Sequence, residues 1–187
     1  MLGSLFRGRK GKKSGSDSLV DSIQDARVGD VFTVTGFRLE YEDGYFIIEK
    51  MNRYQGFSGV SYELLGVDGD NRLWVHWADE SGPFVTLMEE SRPMGLTGLG
   101  VTEQELIKMD EEHSIDNYID YDGIRFHYTN SGEAFYFEDN SGEGDGFYLW
   151  EFADKYRVLS VDKWEGLPFQ VYISDVVSPD GFAVYKR

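Results

Sequence analysis

Four aromatic-rich segments follow one another between Tyr118 and Trp164, and they read YIDYDGIRFHY (118–128), EAFYFED (133–139), FYLWEFAD (147–154) and VLSVDKW (158–164). Aromatic and β-branched residues favour the pleated, half-buried surface of a sheet, and the Gly, Asn and Asp residues between the segments supply turns. The pattern therefore predicts consecutive antiparallel strands.

The first half of the chain has the same character, with strand segments over residues 31–34, 60–67, 72–77 and 84–88. Glu42-Asp43-Gly44 predicts a hairpin turn between two further strands, 37–41 and 45–49. Thr102 and Glu105 form a capping-box pattern, which predicts a helix from there to about His113. The Gly and Pro residues between Glu89 and Val101 interrupt both the strand alternation and the helical periodicity, so they predict a linker between the two halves.

A short internal echo links the two halves. Arg72-Leu73-Trp74-Val75 with Pro83-Phe84 matches Arg157-Val158-Leu159-Ser160 with Pro168-Phe169, because 157 − 72 and 168 − 83 both equal 85. Each unit combines a strand, a polar loop and a Pro-Phe strand start. The match is short, so chance competes with duplication as its source.

We therefore expect a mainly β protein, in which two related antiparallel β-meanders form a sandwich or a partly open barrel with one or two short helices. The expected regions are a basic disordered tail (1–16), a first meander unit with a short N-terminal helix (17–88), a linker with a short helix (89–113) and a second meander unit (114–187).

Charge is unevenly distributed along the chain. The net charge is −16, yet the first 13 residues contain five basic residues and no acidic one. The rest of the chain is strongly acidic and repels the phosphates of nucleic acids at long range, which argues against nucleic acid as a partner. The tail is either solvated and disordered or a weak electrostatic contact with an anionic membrane. In the second case, the contacting residues would be Leu5, Phe6, Arg7, Arg9, Lys10, Lys12 and Lys13.

No residue set predicts a reaction centre or a cofactor. The chain has no cysteine, which excludes disulfides, thiolate metal sites and a cysteine nucleophile, and suits a reducing cytosol. Gly56-Phe57-Ser58-Gly59-Val60 misses the G-x-S-x-G nucleophile pattern by one position. We therefore expect a protein that is not an enzyme.

Two binding sites remain open as interpretations. Trp77 and Trp164 lie near loops and could line a ligand groove, and His127 could join them, although core packing is the ordinary role of aromatics in strands. The acidic loop after residue 137 could instead hold a hard cation through the oxygens of Glu138, Asp139, Glu143 and Asp145. Solvated turns are the simpler interpretation of that loop.

Several segments resemble one bacterial family. Asp120-Tyr121-Asp122-Gly123 resembles its opening strand, Ser131-Gly132-Glu133-Ala134 its second strand, and Leu159 to Trp164 a third; Tyr172-Ile173-Ser174 departs from it by lacking a glycine. Together these segments resemble the bacterial domain of unknown function 4178 family. That family has no established activity, so the resemblance implies no catalytic residue. It implies a genomic context of membrane-stress proteins.

From the sequence we expect a cytoplasmic interaction module that binds a protein partner, with its basic tail bringing it to the inner face of the membrane. The alternative is a β domain that binds a small ligand or a divalent cation.

Overall fold

The computed structural model describes residues 20–56, 59–78 and 84–187. The strands are β1 (Val20–Asp21), β2 (Val31–Val34), β3 (Phe46–Gly56), β4 (Gly59–Asp68), β5 (Asn71–Ala78), β6 (Phe84–Glu89), β7 (Tyr118–Tyr121), β8 (Ile124–Phe137), β9 (Asp145–Ala153), β10 (Arg157–Trp164), β11 (Gln170–Val177) and β12 (Phe182–Tyr185). The helices are α1 (Leu96–Leu99) and α2 (Glu103–Glu112), with single 3-10 turns at Ile23–Asp25, Leu39–Tyr41, Glu138–Asn140 and Pro179–Gly181.

Eight of the strands close into an antiparallel barrel. The strand order around it is β3-β4-β5-β6-β11-β10-β9-β8, and β3 pairs with β8 to complete the ring. The prediction of a mainly β fold with short helices is confirmed. The expected sandwich or partly open barrel differs from the structure, in which the eight strands form one closed barrel. Strands from both halves of the chain share this wall, through the β6–β11 and β3–β8 pairs.

Two long strands extend beyond the barrel. The register of β3 shifts between Ile48 and Lys50, and that of β8 shifts between Tyr128 and Asn130. Such bulges bend a strand and increase its twist. Consequently the first part of β3 pairs with β2, which continues into β12 and β1, and the first part of β8 pairs with β7.

The hydrophobic cores lie on the outside of the barrel wall. The first core joins the outward residues of β4, β5 and β6 to β2 and β12, and its largest members include Phe32, Phe46, Leu64, Leu73 and Leu87. The second joins β9, β10 and β8 to β7, α1 and α2, and includes Leu106, Ile119, Phe126, Phe152 and Leu159. Because neighbouring residues of a strand point to opposite faces, the residues between these core positions point into the barrel.

The helix prediction is confirmed. Thr102 caps α2, its side chain accepts from the Glu105 amide, and the Glu105 carboxylate accepts from the Thr102 amide. His113 ends the helix in the left-handed conformation, with φ of 46°. The helix is tied to the barrel wall by Asp110, which accepts hydrogen bonds from Tyr148 at 2.9 Å and from Ser131.

Two expectations about local structure fail. Residues 37–41 do not form a strand, since Leu39–Tyr41 is a 3-10 turn whose Tyr41 is buried against the first core and bonded to Glu89. The offset of 85 residues matches Trp74, which points into the barrel, to Leu159, which lies in the outer core. The echo is therefore out of phase with the facing of the strands at this position, and the structure does not support it residue by residue.

Candidate functional site

The barrel encloses a cavity of about 620 Å³. All eight wall strands contribute to its lining, which places it inside the barrel. The lining is rich in polar and aromatic side chains: Tyr54, Ser61, Glu63, Trp74, His76, Thr86, Tyr136, Phe147, Glu151, Ser160, Asp162, Trp164, Tyr172 and Ser174. Barrels of eight strands have an interior wide enough for side chains or for one small ligand, and here a cavity remains.

Glu63 on β4 has a carboxylate that is held by hydrogen bonds from two described residues. Asn52 Nδ2 donates to its Oε1 at 2.9 Å, and the Tyr54 hydroxyl donates to its Oε2 at 3.2 Å. Burial raises the pKa of Glu63, and the two hydrogen bonds oppose that rise without cancelling it. Asn52 is fully buried, and its Oδ1 accepts from the Asp139 amide at 3.1 Å.

Asp162 on β10 and Glu151 on β9 have no such support. Ser160 pairs with Glu151, so Asp162, two residues further on, lies on the same inward face. Neither carboxyl group makes a hydrogen bond or ion pair with any residue in 20–56, 59–78 or 84–187. Burial, followed by the charges of Glu63 and Glu151, raises the pKa of Asp162 to about 7, and burial raises that of Glu151.

His76 on β5 is directly opposite Glu63 on one side and Thr86 on the other. Its Nε2 lies 2.9 Å from the Ser61 hydroxyl. Burial lowers the pKa of His76 to about 4, so the ring is neutral at pH 7 and supplies no positive charge to the carboxyl groups of the cavity.

An aromatic cluster forms one side of the cavity. The rings of Phe147 and Trp164 stack at 4.3 Å, and Tyr136 meets Trp164 edge-on at 5.9 Å. Tyr54 packs against Tyr136 at 5.1 Å. Burial, with nearby acidic charges second, raises the pKa of Tyr172 to about 12 and raises those of Tyr54 and Tyr136, so all three hydroxyls stay protonated.

The structure separates the three residues predicted for a ligand groove. Trp164 lines the cavity, but Trp77 is 2% exposed in the first outer core, where it stacks on Tyr62 at 5.6 Å. His127 is on the outer surface, where its Nδ1 lies 3.1 Å from the Ile115 carbonyl oxygen. Trp77 and Trp164 therefore do not face one groove, because they lie on opposite sides of the wall.

The acidic loop between β8 and β9 is exposed and partly neutralised. Glu138 lies 3.4 Å from Lys50, and Asn140 accepts from Arg53 at 3.0 Å. Glu143 and Asp145 are also exposed. Within the described ranges, no group of three or more His, Cys, Asp or Glu side chains is arranged to hold a metal ion, so the predicted cation site gains no support.

The predicted membrane contact at Leu5, Phe6, Arg7, Arg9, Lys10, Lys12 and Lys13 lies outside the described residues. In the part of the chain that the structure describes, no helix combines the length and the hydropathy needed to cross a membrane.

Sequence reasoning missed the inward carboxyl groups, although a signal for them exists. Glu63, His76, Glu151 and Asp162 alternate with core residues along β4, β5, β9 and β10. Polar residues on one face of such strands ordinarily indicate contact with water. The closure of the barrel turned that polar face inward instead.

In the comparison with family models, the model described as Domain of unknown function (DUF4178) matches residues 34–179. The match spans most of the chain and includes every barrel strand. The chain belongs to this family. The resemblance seen in the sequence is thus confirmed, and the cavity lies within the part that defines the DUF4178 domain. Searches of curated proteins and of solved structures found no match.

Proposed function

We propose that this DUF4178 domain binds a small organic molecule inside its barrel. The observation that carries the proposal is the cavity of about 620 Å³ at the centre of a closed wall whose hydrophobic cores lie outside it. Pockets for small molecules usually measure roughly 300–1,000 Å³ and combine apolar walls with a few placed polar groups. This is the small-ligand alternative drawn from the sequence, now assigned to the interior.

The arrangement of polar groups supports the same function. A carboxyl group that is partly removed from water and has no partner costs stability, and Asp162 and Glu151 are two half-buried ones on one inward face, without a partner among the described residues. If the cavity had only to be filled, apolar side chains would fill it at lower cost. A bound molecule that pairs with these groups offsets the cost.

A cavity-filling variant tests the proposal. Ser160→Phe places a large side chain in the lining, and Ser178→Phe is its matched control on an exposed turn. Saturation-transfer NMR with a library of small fragments should give hits that bind the native protein and the control but not Ser160→Phe. Hits that bind all three proteins equally, or no hits at all for the native protein, would refute interior binding.

The sequence also led us to expect a protein partner and a tail at the inner membrane face. These stay predictions. Removing residues 1–16 and measuring sedimentation with anionic liposomes at low salt tests the membrane contact directly, and unchanged sedimentation would contradict it.

A further inference from the structure

The interior of the barrel has several acidic side chains and, among the described residues, no basic side chain to match them. Glu63, Glu151 and Asp162 all line the cavity, and no Lys or Arg is among the described residues that line it. The His76 ring forms a hydrogen bond with the Ser61 hydroxyl, and burial lowers its pKa, so the ring is neutral at pH 7. A positively charged ligand would therefore supply the positive charge that the described residues of the inward face do not provide.

The three carboxyl groups face one cavity, and Asp162 lies two residues along β10 from Ser160, the register partner of Glu151. After burial, the charges of Glu63 and Glu151 also raise the pKa of Asp162. Glu63 is already fixed by Asn52 and Tyr54. The half-buried side chains of Asp162 and Glu151 face the cavity, and their carboxyl groups have no hydrogen-bond or ion-pair partner among the described residues. These two are the groups free to receive a ligand.

The surroundings favour an organic cation over a metal ion. A bare divalent ion needs six or more oxygens at about 2.0–2.6 Å, and the described residues offer no cluster of that kind. The cavity is also far larger than such an ion requires. The aromatic side of the cavity offers a surface for the carbon body of an organic ligand and for cation–π contact, neither of which a metal ion needs. Its rings are those of Trp164, Phe147, Tyr136 and Tyr54.

We propose that the interior ligand is an organic ammonium compound, whose charged nitrogen is held between Asp162 and Glu151 and whose carbon body packs on the aromatic side of the cavity. This inference rests on the proposed function, since it names the chemical class of the molecule that the barrel binds. Ser160 pairs with Glu151 on one side and with Tyr172 on the other, so the three residues form one row of the inward face and add hydroxyl groups to the polar end.

Three probes of nearly equal shape and different charge test the inference: 2-phenylethylamine, 2-phenylethanol and 3-phenylpropanoate. Their affinities are measured by titration calorimetry at about pH 8, where the amine is a cation and Asp162 is ionised. We expect the amine to bind at least about tenfold more tightly than the alcohol, and the acid to bind most weakly. A tenfold difference corresponds to about 1.4 kcal/mol.

Asp162→Asn and Glu151→Gln should each reduce the preference for the amine to about threefold or less while the alcohol binds as before. Glu133→Gln is the control, because Glu133 is an exposed acid on β8 of the same wall. It should leave the preference unchanged, and circular dichroism should show all three variants folded. A preference that survives both interior substitutions overturns the inference.

The remaining outcomes separate the two proposals. If the alcohol binds as tightly as the amine, the barrel binds small molecules but not cations as a class. If millimolar calcium binds and displaces the amine in competition, the site is a metal site and the inference is wrong. If none of the probes binds, and the fragment library gives no hit that depends on the cavity, the proposed function fails together with the inference.

Discussion

Asn52 joins the loop between β8 and β9 to the interior of the barrel, because its Nδ2 donates to Glu63 Oε1 at 2.9 Å while its Oδ1 accepts from the Asp139 amide at 3.1 Å. Both ends of one fully buried amide are used. The orientation of Glu63 in the cavity therefore depends on a side chain that is also bonded to the loop between β8 and β9.

Replacing Asn52 with Leu should destabilise the protein by about 2–4 kcal/mol, since the Asp139 amide and one oxygen of Glu63 both lose a buried partner. Urea denaturation measures the change in unfolding free energy. The matched control is Asn71→Leu at the exposed start of β5, where the side chain makes no hydrogen bond with the described residues, so this substitution should cost under about 1 kcal/mol. Equal costs for the two substitutions would show that the amide of Asn52 does not hold this end of the barrel.

Asp162 should make the protein less stable as pH rises from about 5 to 8. Its pKa is raised from 3.8 to about 7 on folding, so the folded state holds a proton that the unfolded chain releases at lower pH. The stability from this group is complete below about pH 4 and is lost as pH rises through 7. Asp162→Asn keeps a neutral group, so its stability relative to the native protein should be greater at pH 8 than at pH 5 by roughly 2 kcal/mol. Denaturant titrations at both pH values measure this, and a difference that does not change with pH would contradict the assignment.

Amine affinity should follow the same ionisation. As pH falls from about 8 to 6, Asp162 takes up a proton while 2-phenylethylamine stays charged, so the affinity should fall several-fold. The groups that act on Asp162 are Glu63 and Glu151, whose charges raise its pKa, and the neighbouring Tyr54 and Tyr172 remain neutral in this range. Calorimetry at the two pH values measures the change, with Asp162→Asn as the protein in which it should disappear. An affinity that rises at low pH would contradict the cationic site.

His76 should titrate far below an ordinary histidine. Burial lowers its pKa to about 4, against 6.5 for the free side chain, so the folded state resists the proton that the unfolded chain accepts. The stability that this neutral ring allows is present above about pH 6.5 and is lost as pH falls toward 4. Proton NMR of the imidazole Hε1 signal, assigned with His76→Gln, measures the midpoint. A midpoint near 6.5 would show that the ring is not enclosed.

Gly66 should not tolerate a larger residue, because the outer core presses on the wall strand there. A Cβ atom at this position would lie 2.2 Å from Phe32 Cε1 and 2.9 Å from Phe46 Cβ. Gly66→Ala should therefore destabilise the protein by about 3 kcal/mol. Gly146→Ala is the control on another wall strand, where the nearest atom is 3.6 Å away, and its effect should be within about 0.5 kcal/mol. Thermal or urea unfolding compares the two, and similar effects would contradict the close packing.

The sequence predicts the parts of this fold better than it predicts their closure. The alternation along β4, β5 and β10 and the capping box at Thr102 are local signals, and the structure has those elements. The β3–β8 pair joins residues near 54 to residues near 136, and no local pattern encodes a contact over that separation. Bulges near residues 49 and 129 also change which side chains point inward, and no proline or pair of glycines in the sequence there predicts them.

The candidate site shows the same limit. Trp74 and Trp77 are three positions apart on β5, so they must point to opposite sides of the wall. The sequence does not say which side is enclosed, and in the structure Trp77 lies in the first outer core, away from the cavity. The inward acids were visible as polar positions in alternating strands, but they have the pattern of a solvent-facing surface until the wall closes.

The two faces of each wall strand have separate tasks. Leu64 packs into the first outer core beside an inward Glu63, and Leu159 packs into the second beside an inward Ser160. Substitutions on faces that share no neighbours usually have additive effects. A lineage of such barrels can therefore exchange the residues that recognise one molecule for those that recognise another, while the outer layers that keep the chain folded stay as they are.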